Sequence, residues 1–146
     1  MTIIPEKGVP EDVLSDSVLA HIAAAYFSVG KRLERKTRCS ATRGFVLSTL
    51  RDDATLNQNQ IATLLGLDRT VVHRAIKSMV QEGLVSERKA KSGRAIHIRL
   101  TRKGHEYRER LIKARIAADD QVRKELTPAD RAALLRLLRL IAELEF

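Results

Sequence analysis

"GLDRTVVHRAIKSMVQEGLV", residues 66–85, carries both ends of a helix and two unlike faces. Asp68 follows the turn-forming pair Gly66-Leu67, and its carboxylate suits the free amides of a first helical turn, so it reads as an N-cap. Gly83 is the stop, because glycine tolerates the left-handed backbone that closes a helix. Val72, Ile76, Met79 and Val80 recur at spacings of four, three and one, which gathers them on one side of a 3.6-residue helix and marks that side as core. Arg69, Thr70, His73, Arg74 and Lys77 are left on a second stripe that carries no carboxylate. Hydrogen-bond donors and positive charge on one exposed face suit phosphates and base edges. An ordinary solvated face has the same look, so the surroundings have to decide.

The charge distribution favours the first reading. The 146 residues carry a net charge of +9. Residues 57–104 hold 10 Lys and Arg against 3 Asp and Glu, a net of +7, while the rest of the chain holds 17 against 15. The basic character therefore belongs to the segment around the opening helix, as a nucleic-acid-binding surface requires.

The elements around it follow from periodicity. A long first helix is expected over residues 11–36, with Leu14, Val18, Ile22, Tyr26 or Ala25, Val29 and Leu33 repeating every three or four positions. Ser40 caps a second helix through Phe45, Val46, Leu47 and Leu50, and "ATLN" is a short extended link. Asn57 caps "QNQIATLL", which the Gly66-Leu67 turn joins to the opening helix. Two short helices with a tight turn and a basic stripe on the second describe a helix-turn-helix. Beyond Gly83, Ile96, Ile98 and Leu100 alternate with Ala95, His97 and Arg99, the period of a half-buried strand. Residues 84–89 pair with it across "AKSGR", making a wing whose tip carries Lys89, Lys91 and Arg94, suited to a minor groove. Thr101 restarts a helix through Tyr107, Leu111, Ala114, Ala118 and Val122. "TPAD" opens the last one, with Thr127 as cap and Pro128 in first position. That final helix is apolar around most of its circumference, from Leu134 to Leu144, and the excess predicts a partner chain.

Other function classes fit poorly. His21, His73, His97 and His105 fall on separate elements without metal-ligand spacing, and no Gly-rich phosphate loop is present, so neither an enzyme nor a cofactor is expected. Aromatic residues make up 3% of the chain, which argues against stacking on single strands. The surviving rival is a nonspecific architectural DNA-binding protein. No signal or membrane segment is read, and the single Cys39 fits a reducing compartment, so the expected location is cytoplasmic. Cys39 follows the basic "LERKTR", which would favour a reactive, oxidant-sensing thiol. A plain structural cysteine at a helix junction is the preferred reading.

The order of these elements, with "IATLLGLDRTVVHRAIKSMVQEGLV" followed by the wing and "IRLTRKG", resembles the MarR family of winged helix-turn-helix transcription regulators. The resemblance spans residues 11–146 and is strongest over residues 60–104. It implies a mainly α fold with a small β-hairpin wing, dimerisation helices at residues 11–38 and 105–146, and a DNA-binding region at residues 40–104. It further implies a homodimer on a pseudo-palindromic double-stranded operator, usually a repressor released by a small ligand or an oxidant. Arg69, Thr70, Val71, His73, Arg74 and Lys77 fall where such recognition helices face the major groove. Arg94 matches the family's wing arginine, and Asn57, Gln58 and Lys91 complete the expected contact set. Where the family has an aspartate two residues before that arginine, this chain has Ser92, then Gly93. The effector is not named by any residue, although Arg38 and Arg43 could receive an anion.

Overall fold

Capping side chains set the helix boundaries across residues 16–51, 55–91 and 93–145, which are the residues described by the computed structural model. The order is α1 (Val18–Thr37), α2 (Ala41–Thr49), α3 (Gln58–Leu65), α4 (Arg69–Gln81), β1 (Val85–Lys89), β2 (Ile96–Leu100), α5 (Arg102–Glu125) and α6 (Pro128–Ala142). Ser17, Ser40, Asn57, Asp68 and Thr127 each accept a backbone N–H of the first turn they precede, which satisfies a donor that the helix itself leaves open.

Two boundaries differ from expectation. Ser17 caps α1, so that helix begins at Val18 rather than at residue 11. Leu14 lies outside the described residues, as does Ser92 of the wing. The last helix stops at Ala142, where the Glu143 and Leu144 amides turn to the carbonyls of Leu140 and Ile141, tightening the final turn.

The hydrophobic core lies in the first of two compact units, which runs to Leu111. Val46, Leu47 and Leu50 from α2 meet Ile61 and Ala62 of α3, and Val72, Ala75, Ile76 and Met79 of α4. Leu84, Val85 and Ile98 extend the core beneath the wing. Val80, expected inside, is 36% exposed, and Ala75 is buried in its stead. At about 100° per residue, the arc centred on Val72 and Met79 places Val80 at its outer rim and Ala75 nearer its centre. Ile96 is likewise 42% exposed, because it pairs with Lys89 at the end of the hairpin away from the core.

The hairpin is attached at its inner end. β1 and β2 are antiparallel, with Val85 opposite Leu100 and Glu87 opposite Ile98. The expected extended link does more than connect: the Ile98 amide donates to the Leu56 carbonyl at 2.8 Å, so Leu56 forms a one-residue third strand. Thr101 Oγ1 donates to the Gly83 carbonyl at 2.6 Å and accepts from the Gly104 amide at 3.0 Å, joining the end of the wing to the start of α5.

α1 and the second unit, from Ile112 onward, are built differently. Neither α1 nor α6 contains a buried residue. The expected apolar stripes are present but uncovered in one chain, with Val18 60% and Leu140 52% exposed. No described helix is long and apolar enough to cross a membrane.

The far end of α4 is fixed by charges from outside it. Glu82, its C-cap, places a carboxylate where the helix dipole is already negative, an unfavourable position unless a cation compensates. Arg43 of α2 does so through a 2.7 Å ion pair, and Lys103 Nζ donates to the Glu82 carbonyl at 2.7 Å. The Arg43 hydrogen bond holds the Glu82 carboxyl below its ordinary value. Burial alone would lower the Arg43 guanidinium, but the bond and charge of Glu82 outweigh it, and the net shift is upward.

Two outcomes follow. A Cβ on Gly104 would stand 1.9 Å from the Leu84 carbonyl oxygen, a backbone atom that cannot rotate away. Gly104→Ala should therefore lower the unfolding free energy by about 1–3 kcal/mol, read from the denaturant midpoint. Glu82, with its folded pKa depressed, contributes stability above the ordinary value of 4.5 that is lost as pH falls through the lower folded value. Wild type should exceed Glu82→Gln by roughly 0.5 kcal/mol at neutral pH, a small figure because the carboxylate is largely exposed, and the gap should close in acid.

Candidate nucleic-acid interface

Burying Val72, Ala75, Ile76 and Met79 turns the opposite side of α4 outward. Arg69, Thr70, Val71, His73, Arg74 and Lys77 are all exposed there, Val71 by 41%. Its methyl groups add an apolar element to an otherwise polar face, of the kind that meets a thymine methyl. Lys91 and Arg94 are exposed on the wing. Among the described residues no ion pair engages the side chains of Arg69, Arg74, Lys77 or Arg94.

The remaining expected contacts are committed within the protein. Asn57 Oδ1 accepts from the Gln60 amide and Gln60 Oε1 from the Asn57 amide, both at 2.9 Å, which is a reciprocal capping box. Gln58 lies between two neighbours: its Oε1 is 2.9 Å from His73 Nδ1, and its Nε2 donates to Glu87 Oε1 at 3.2 Å. The stripe is therefore not wholly remote from acid, since Glu87 of β1 reaches it through Gln58. Asp68 also stands beside it, but as a cap. Its carboxyl is held low by the hydrogen bond from the Thr70 amide, with the Arg74 charge a smaller cause.

Glu87 and the Arg43–Glu82 pair were not legible as site residues. Glu87 is 29 positions from Gln58, and Glu82 is 39 from Arg43, so no local spacing announces either contact. Arg43, a candidate anion receiver, is instead bound to Glu82.

A second cluster surrounds the α1–α2 junction. Arg38 closes α1 with a φ of 54°, and its carbonyl accepts from the Tyr107 hydroxyl at 3.3 Å. Burial, then a hydrogen bond with Cys39, pushes the Tyr107 phenol up to about 12. Cys39 is 5% exposed, with Sγ 3.5 Å from the Ser40 carbonyl. Among the described residues no three His, Cys, Asp or Glu side chains gather where a metal ion could bind them.

Comparison with known proteins agrees with this geometry. Residues 45–86 match a family model described as winged helix-turn-helix DNA-binding. No curated protein is similar enough in sequence to match the chain. Among solved structures, the transcriptional repressor CouR bound to a 23-mer DNA duplex is 25% identical, with a TM-score of 0.80 over 93% of this chain and 99% of that one. The PcaV transcriptional regulator from Streptomyces coelicolor, in complex with its natural ligand, is 21% identical, with a TM-score of 0.77 over 93% and 96%. A MarR/EmrR family transcriptional regulator from Acinetobacter sp. ADP1 is 20% identical, with a TM-score of 0.72 over 92% and 96%. The chain is thus a winged helix-turn-helix protein with the fold of the MarR-family transcription regulators.

Proposed function

We propose that the chain is a sequence-specific double-stranded DNA-binding regulator of transcription, acting as a homodimeric repressor that a small ligand releases. The observation that carries this reading is the outward face of α4, where Thr70, His73, Arg74 and Lys77 stand exposed beside a basic wing. A helix of this width fits a major groove, and the wing then lies against the neighbouring backbone or minor groove. The likeness to CouR, solved on a DNA duplex, supports the DNA partner. The likeness to PcaV, solved with its natural ligand, supports a small-molecule effector.

The uncovered apolar faces of α1 and α6 support the homodimer. Half-exposed leucines along a whole helix cost solvation free energy that a second copy would remove. In this reading the helices of residues 11–38 and 105–146 form the dimer, and residues 40–104 contact DNA. A two-fold dimer brings two copies of α4 to successive major grooves, with half-sites centred about 10–10.5 base pairs apart or a multiple of that. Regulation of this kind places the protein with the DNA in the cytoplasm and assigns it no catalytic step. The buried Cys39 is assigned a packing role, since a sensing thiol has to be reached by its oxidant.

Selection from a randomised duplex library tests the reading: a two-fold symmetric site is expected, and diffuse, sequence-independent recovery would mark an architectural protein instead. On the selected site, Arg74→Ala should cost roughly 1–3 kcal/mol and far less on random DNA, because its guanidinium fork suits guanine O6 and N7. Arg94→Ala should weaken both DNAs alike and make the slope of log affinity against log salt shallower by about 1. Cys39→Ser should retain operator affinity, and peroxide should not release the wild-type protein; release that the substitution abolishes would establish a redox switch.

A further inference from the structure

Three side chains from three elements form a hydrogen-bonded line that ends on the DNA-facing stripe. Glu87 of β1 accepts from Gln58 Nε2 at 3.2 Å, and Gln58 Oε1 stands 2.9 Å from Nδ1 of His73 on α4. The backbone brings them together. Glu87 pairs with Ile98, Ile98 bridges to Leu56, and Gln58 opens α3 two residues later.

For a neutral His73, the chemistry of this line allows one arrangement of protons. An ionised carboxylate only accepts, so the Gln58 amide must turn its NH2 toward Glu87. Its carbonyl then faces His73, and a carbonyl also only accepts, so His73 Nδ1 must carry the ring hydrogen. In the neutral imidazole, Nε2 is consequently a bare lone pair. His73 is exposed, with Thr70, Arg74 and Lys77 as its neighbours on the stripe. The line thus places a bare acceptor nitrogen beside the cations Arg74 and Lys77 and the Thr70 hydroxyl.

That placement has a single fit on duplex DNA. Phosphates offer no hydrogen to a lone pair, and in the major groove the base-edge donors are the exocyclic amines of cytosine N4 and adenine N6. We propose that His73 is a specificity-determining residue that reads a cytosine or adenine amine through Nε2, with Gln58 and Glu87 as positioning residues that hold its tautomer. The proposal rests on the DNA-binding reading given above and deepens it. Because Glu87 belongs to the wing, base choice on α4 and the seating of the hairpin are parts of one hydrogen-bonded assembly.

The test has two arms, both on the full chain in mildly alkaline buffer. Multiple-bond 1H–15N NMR of the free protein reports the His73 ring without DNA. Wild type should show the Nδ1–H form, and Glu87→Gln should show the Nε2–H form appearing, because an amide at position 87 lets Gln58 turn over. Duplex selection then reads the bases. Wild type should prefer cytosine or adenine on one defined strand of the pair at which His73→Ala relaxes, and replacing that base by its analogue lacking the exocyclic amine should weaken wild type but not His73→Ala. Glu87→Gln should lose roughly threefold to tenfold of that preference and admit guanine or thymine on that strand of the same pair, while preferences elsewhere persist. Glu87→Asp, which keeps an accepting carboxylate, should restore part of it. A wild-type ring in the Nε2–H form overturns the tautomer lock. A uniform loss of affinity in His73→Ala, with no pair relaxing, overturns base reading and makes His73 a backbone contact. If wild type selects no discrete site, base reading and sequence-specific regulation fail together, and the NMR arm still reports the lock separately.

Discussion

Every outward side chain of α4 depends on the rotation of that helix about its own axis. Four residues set it: Val72, Ala75, Ile76 and Met79 are buried against α2 and α3. Shifting this apolar set by one position would turn the face by about 100° and carry Arg74 and Lys77 away from their present exposed side. Close packing resists such a shift, since the core tolerates neither voids nor extra methylenes without cost. Polar anchors at the helix ends add translation to this control. Asp68 holds the first turn, and Glu82 is tied to Arg43 and, through its carbonyl, to Lys103.

The wing is positioned by backbone more than by side chains. Its inner end joins Leu56 through one amide and meets the first turn of α5 so closely that Gly104 has no room for a methyl group. The final glycine of "IRLTRKG" thereby acquires a physical reason: the chain must pass against the Leu84 carbonyl as it leaves the sheet. Thr101 satisfies the groups left open at that junction, donating to Gly83 and Leu84 and accepting from Gly104.

Much of this arrangement was legible in the sequence because it is local. Asp68, Asn57, Ser40 and Thr127 each sit next to the amides they cap, and the alternation around Ile98 has the period of a strand. What escaped detection depends on contacts between distant positions or on competition between neighbours. Ser17 competes with the helical pattern written across it and wins the cap. Val80 and Ala75 border the same buried arc, and apolar spacing alone does not say which rim is covered. Gln58, an expected DNA contact, also has its amide held by His73 and Glu87, 15 and 29 positions away. Arg43, open to an anion by sequence alone, is bound to a glutamate 39 positions on.

The hairpin also has a gradient along its length. Val85 and Ile98 are buried in its inner part, whereas Arg88, Lys89, Lys91 and Arg94 are exposed toward its tip. Apolar burial is what opposes local opening, so amides near Ile98 should share the protection of the core in hydrogen exchange, and amides toward residue 91 should exchange through smaller openings. For the basic residues beyond the buried inner part, fixing against an anionic surface would cost conformational entropy that offsets part of the electrostatic gain.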